Sequence, residues 1–128
     1  IKRFKDVQIE NCDFRRLIKN WDGDKVFFYF DPPYLLTERN RTCNYENEMS
    51  TLDHSDLLDL CLKAKAKILI SGFPNLLYDE KLKDWNTWQI KQILYSAINV
   101  PGDSKTDKIE KLWWNYEVDS LKEQLDLF

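Results

Sequence analysis

Glycine is scarce in this chain: three in 128 residues, Gly23, Gly72 and Gly102, each far from the others. They are too dispersed to build a glycine loop that offers backbone amides and close approach to a ligand. Cysteine is equally sparse. Cys12, Cys43 and Cys61 are odd in number and widely spaced. No Cys-x-x-Cys or Cys/His grouping occurs, which excludes a zinc site of ordinary ligand spacing. The pattern fits reduced thiols in a cytosolic protein rather than a disulfide framework. No signal peptide and no apolar run of membrane-spanning length is present. A strong positive charge is missing too. The net charge is -3 with 32% charged residues, so any grip on nucleic acid must come from local patches. No internal repeat or low-complexity linker is visible.

What the chain does have is apolar and aromatic mass. Hydrophobic residues make up 43%, aromatics 14%, and there are five tryptophans. One domain's worth of chain can bury a core with that supply. The densest stretch is VFFYFDPPY at residues 26–34. Its apolar start, bounded by a turn and by prolines, predicts a strand at 26–31 buried on both faces. A residue before proline is pushed to an extended conformation, so Asp31 should stand at the strand's carboxyl end. Two prolines then fix the backbone and remove two N–H donors. What remains is a carboxylate and nearby carbonyls, all acceptors, followed by the face of Tyr34. Ligands of open α/β sheets bind outside the carboxyl ends of strands.

Those groups suit an exocyclic amine on a nucleobase. Asp31 and the Pro32 carbonyl can accept from its two N–H groups and aim its lone pair at an electrophile. The same oxygens stabilise the positive charge that develops on nitrogen during alkyl transfer. Tyr34 can stack on the base, which must leave the duplex to arrive there. The tetrapeptide Asp31-Pro32-Pro33-Tyr34 resembles the catalytic motif of the S-adenosylmethionine-dependent methyltransferases that modify DNA amines. Taken alone, Asp-Pro-Pro is also an ordinary loop starter.

The rest of the chain supports an alternating α/β reading. A short strand is predicted at 7–12. Asp13 is an N-cap candidate for a helix with Phe14, Leu17, Ile18 and Trp21 on one face. The turn at Asp22-Gly23-Asp24 leads into the 26–31 strand, so the first predicted unit is βαβ with parallel strands. A helix from Asp53 to about Lys65 carries acidic residues early and lysines late, which complements its dipole. His54, the only histidine, reads as a surface residue in its first turn. The buried strand 67–71 ends at Gly72 and completes a second βαβ. A short helix comes next, at 76–82. Alternating strands near 87–95 and 109–116 form an antiparallel edge pair. The expected fold is therefore α/β, a partial Rossmann-like methyltransferase fold with a mainly parallel sheet. Residues 1–118 form its catalytic part. Residues 119–128 form a tail, with 121–128 a frayed or partner-binding helix.

The polar connection at 35–53 is long for a compact domain, and such loops are usually functional or disordered. Thr37, Arg41, Tyr45, Glu48-Met49 and Asp53-His54 resemble the segment after Asp-Pro-Pro-Tyr in the D12-class (Dam-like, phage-type) adenine-N6 DNA methyltransferases. The Ser71-Gly72 strand end, Leu77-Tyr78-Asp79, and Glu110 with Leu112-Trp113 and Asn115-Tyr116 extend that resemblance over 7–116. It implies S-adenosylmethionine as cofactor, with Asp13 accepting from its adenine amino group, Phe14 packing on that ring, and Asp31 at the methyl end. It implies Asp31, Pro32, Pro33 and Tyr34 as catalytic residues and double-stranded DNA as partner. Arg39, Arg41, Tyr45 and Lys108 are candidate nucleic-acid contacts, each weighed against ordinary solvation or packing. Lys105 is a further candidate phosphate contact, with ordinary solvation the favoured reading. No metal is implied, and the expected setting is the cytoplasm of a bacterium, an archaeon or a phage-infected cell.

One part of the family pattern is missing. No Phe-x-Gly-x-Gly loop, which cradles the cofactor's methionine end, precedes these elements, and no recognition segment lies before Asp31. With Ile1 rather than methionine first, the sequence reads as a C-terminal piece of a longer enzyme or a truncated gene product. Alone it is expected to show no measurable cofactor binding and no methylation, and to have its Val26–Phe30 edge either covered by another segment or paired with a second copy. The alternatives are a non-catalytic interaction module and an RNA-adenine or cytosine-N4 methyltransferase.

Overall fold

The computed structural model describes residues 5–35, 49–92 and 108–118. Among these residues three helices and four strands occur, in the order α1 (Phe14–Trp21), β1 (Phe27–Phe30), α2 (Thr51–Lys63), β2 (Lys67–Gly72), α3 (Leu76–Lys81), β3 (Asn86–Gln92) and β4 (Lys108–Trp114). The sheet is open, with strand order β1-β2-β4-β3. β1 and β2 are parallel, Phe28 opposite Ile68 and Phe30 opposite Ile70. The other two pairings, β2 with β4 and β3 with β4, are antiparallel.

The sheet is thus mostly antiparallel, which corrects the mainly parallel expectation. Among the described residues only β1-α2-β2 makes a parallel crossover, and β4 returns between β2 and β3. The first predicted strand is also absent: residues 7–12 have no strand geometry. A strand needs a neighbour for its ladder, and none lies beside this segment among the described residues. Val7 and Ile9 face solvent, so no apolar face holds the segment in register. The βαβ unit expected through α1 is consequently missing.

The helices start where their caps dictate. Asp13 caps α1 and accepts from the Arg15 backbone N–H. At α2 the cap is Ser50, three residues before the predicted start. Its hydroxyl accepts from the Asp53 N–H while the Asp53 carboxylate accepts from the Ser50 N–H, a reciprocal capping box. Asn75 caps α3 by accepting from the Tyr78 N–H.

All three helices pack on one face of the sheet. Ile18 of α1, Leu57, Leu58 and Cys61 of α2, and Tyr78 of α3 bury themselves with Phe28, Ile68, Ile70 and Trp113. Those strand residues share one parity, so the opposite parity faces away from the helices. There Phe27 and Tyr29 are 53% and 56% exposed, and Trp88 is exposed as well. β1 is therefore buried on one face only, not two, because no described layer covers the second. It is also an edge strand, paired only with β2 among the described residues. No helix of the described residues is long and apolar enough to cross a membrane.

Contacts at both helix ends fix the direction of the helical layer. At the C-terminal end of α1, the Asp22 carboxylate accepts from the backbone N–H groups of Lys65 and Ala66, just before β2 begins. At the N-terminal ends, Arg15 of α1 donates to Asp53 and Asp56 of α2. α1 and α2 hence run side by side, their N-termini toward the end where β1 and β2 finish.

Candidate active site

Asp31 leaves the end of β1 as predicted. Phe30 lies opposite Ile70, so the parallel register carries Asp31 alongside Ser71. The Ser71 hydroxyl donates to Asp31 Oδ1 at 3.0 Å and lies 3.0 Å from the Tyr29 hydroxyl. The Asp31 carboxylate itself is exposed.

Three residues on, Tyr34 stacks on Phe73, with ring centroids 3.8 Å apart and planes 17° from parallel. Phe73 comes from the turn after β2, so the two strand ends brace one another through their aromatics. Tyr34 keeps 44% of its surface open. Between the two turns lies a cavity of about 10 Å³ walled by Pro32, Pro33, Tyr34, Ser71, Phe73 and Tyr78. That is room for about one water molecule.

Tyr78 connects this cavity to the core. It is buried, and its hydroxyl lies 2.8 Å from His54 Nδ1. His54, expected at the surface, is 1% exposed. The first turn of α2 faces α3, and the imidazole finds there the phenol that a surface site would not supply. Its Nε2 has no hydrogen-bond partner among the described residues. Burial lowers the His54 pKa, with the Asp53 charge opposing in part. Burial raises that of Tyr78, and it pushes the Cys61 thiol up to about 12. His54 and Tyr78 therefore form a neutral buried pair at pH 7. Protonating the imidazole costs more folded than unfolded, so the unfolded chain is the stronger proton binder. Stability from this site is full above the ordinary value of 6.5 and is lost as the pH falls below it. Thermal melts from about pH 7 to about pH 5 should show a smaller decline for His54→Gln than for the wild type.

Asp13 and Phe14 belong to a second cluster. Arg15 Nη1 donates to Asp13 Oδ2 at 3.1 Å, and Arg15 Nη2 reaches Asp53 and Asp56 at 2.5 and 2.8 Å. Its guanidinium lies 4.4 Å over the Phe14 ring. Hydrogen bonds from Arg15, then from Ser50, hold the Asp53 carboxyl well below the usual carboxylate range. The same carboxylates raise the Arg15 pKa. All of these groups are at least a third exposed, so the cluster organises the helix N-termini more than it stabilises the fold.

The structure thus brings Asp31, Pro32, Pro33 and Tyr34 together with Ser71, Phe73 and Tyr78. Asp13 and Phe14 belong to the Arg15 cluster at the start of α1. Arg39, Arg41 and Tyr45 lie outside the described residues. Lys108 begins β4 opposite Gln92, and its backbone projects past Gly72, the last β2 residue in the ladder. Its strand start is therefore on the Asp31 side of the sheet. Ser71 and Phe73 carried a signal that sequence reasoning left unused. Two parallel strands ending in register put the residue after Ile70 beside the residue after Phe30.

A family model for D12 class N6 adenine-specific DNA methyltransferases matches residues 1–94. No curated protein matches the chain. The match runs from the segment before α1 through β3, takes in both clusters, and covers well over half of the 128 residues. By that span the chain belongs to the D12 class N6 adenine-specific DNA methyltransferase family.

Proposed function

We propose that residues 1–118 carry the amine-binding side of an adenine-N6 methyl-transfer site acting on a base flipped out of double-stranded DNA. The observation that carries this reading is the held Asp31 carboxylate beside a braced, half-open Tyr34 ring. Asp31 and the Pro32 carbonyl accept from the two N6–H groups of the adenine. Removing the nitrogen lone pair from conjugation with the ring makes it a nucleophile. As nitrogen gains positive charge, both oxygens stabilise it, an effect larger in the transition state than in the ground state. Pro33 holds the turn rigid. Tyr34 takes the base on the ring face turned away from Phe73.

S-adenosylmethionine, when bound, supplies the methyl group as an electrophile. Asp13 and Phe14 are the residues that would hold its adenine. They already hold one flat nitrogen donor, since the Arg15 guanidinium sits over Phe14 and donates to Asp13. An aminopurine presents the same pairing of planar face and N–H donor. The described glycines offer nothing comparable for the methionine end. A Cβ at Gly72 would meet the Trp113 ring at 3.6 Å and one at Gly23 would meet Val26 at 3.9 Å, both packing contacts. Asp31 completes the cofactor contacts at the methyl end. Arg39, Arg41, Tyr45 and Lys108 provide the contacts to DNA.

Base stacking tests the reading. Tyr34→Ala in the full-length protein should weaken binding to DNA bearing an unpaired adenine by roughly 1–3 kcal/mol, and Tyr34→Phe or Trp by less. Fluorescence anisotropy with labelled duplexes measures this. Equal affinity for all four proteins would remove Tyr34 from the site.

A further inference from the structure

We propose that Ser71 and Tyr29 are positioning residues for Asp31, joined in a one-way hydrogen-bond chain that reserves the second carboxylate oxygen for the substrate amine. This rests on the amine-binding reading above and adds to it two residues from outside the Asp-Pro-Pro-Tyr motif.

The direction of the chain comes from counting protons. An ionised carboxylate only accepts, so the Ser71 hydroxyl must donate to Asp31 Oδ1, at 3.0 Å. Serine has a single hydroxyl proton. The Phe30 carbonyl, at 3.4 Å, is the longer and weaker competitor for it. With that proton committed, the 3.0 Å contact to Tyr29 needs its proton from the phenol. The order is Tyr29 to Ser71 to Asp31, each donor polarised by the next acceptor. The last bond is charge-assisted and the strongest of the series.

The backbone explains why these three meet. Tyr29 lies opposite Leu69 in the parallel ladder, so Ser71 is its diagonal neighbour on the sheet face turned away from the helices. Asp31 stands two residues after Tyr29. No described side chain other than Ser71 hydrogen-bonds its carboxylate, which is exposed and would otherwise rotate. A reacting group must be held within about 10–20° of its productive direction, and a freely rotating carboxylate is not. Fixing Oδ1 on Ser71 fixes the direction of Oδ2.

The test uses the full-length protein and two DNA duplexes. One carries a single unpaired adenine, the other an unpaired purine base that keeps the rings and lacks the amino group. The wild type should bind the adenine duplex more tightly. Ser71→Ala should cut that preference by about 10- to 100-fold, the worth of a hydrogen bond to a charged group, with affinity for the purine duplex unchanged. Tyr29→Phe should cut it less, and Ser71→Thr, which keeps the hydroxyl, should restore it. A Ser71→Ala protein with the wild-type preference overturns the inference. So does one that loses both affinities equally, since that is general structural damage. A wild type with no preference overturns the amine-binding reading itself, and this inference with it.

Discussion

Asp31→Ala is expected to lower methyl transfer by the full-length protein by about 10²–10³-fold, the usual cost of losing one preorganised electrostatic group. The fold should survive. Asp31 is exposed, and the bond it gives up, to Ser71, is at the protein surface. A hydrogen bond to a charged group contributes about 1.5–3 kcal/mol net, and less where solvent screens it as here. Single-turnover rates with saturating DNA isolate the chemical step, and thermal melts of the same samples check folding. Asp31→Asn should fall between wild type and alanine, because its amide oxygen still accepts while its charge is gone. A normal rate for the alanine protein would remove Asp31 from the chemistry.

The largest effect on stability is expected at Trp113. It is fully buried at the centre of the sheet, opposite Ile70. Its indole N–H donates to Asp79 at 3.1 Å, and its ring lies 5.2 Å from that of Tyr78. The Lys111 ammonium reaches the same Asp79 oxygen at 2.6 Å, so the carboxylate is shared by two donors. Trp113→Ala should cost about 3–5 kcal/mol of unfolding free energy, from lost transfer energy and the cavity left behind. Trp113→Phe should cost less, since the ring remains and only the hydrogen bond and some volume are lost. Urea unfolding monitored by circular dichroism measures both. A loss below about 1 kcal/mol for the alanine protein would be incompatible with a buried core residue.

Local signals in the chain predict its elements well and their surroundings badly. The 26–31 apolar run, the Asp13 cap, and the alternation at 88–93 are properties of neighbouring residues, and each yields its element. Burial of β1 depends on layers and partners remote in sequence. An apolar run reads the same whether one face or two are covered, so the exposure of Phe27 and Tyr29 is not legible in it. Val7 and Ile9 alternate like a strand, but alternation cannot supply the neighbour a ladder needs. The position of β4 between β2 and β3 turns a parallel expectation into a mostly antiparallel sheet, and nothing local encodes that insertion. His54 shows the same limit in one residue: a polar side chain in a first turn reads as solvated until Tyr78 is known to face it. At the candidate site, Asp31 to Tyr34 are legible because the chemistry lies in four consecutive residues. Ser71 and Phe73 are not, because their relation to Asp31 and Tyr34 exists only once β1 and β2 are in register.

The most direct measurement incubates the full-length protein with S-adenosylmethionine and double-stranded DNA, digests the DNA to nucleosides, and identifies the methylated one by mass spectrometry. N6-methyldeoxyadenosine is expected, at a level that collapses in the Asp31→Ala protein. N4-methyldeoxycytidine, methylation of RNA but not DNA, or no methylated nucleoside at all would contradict the account.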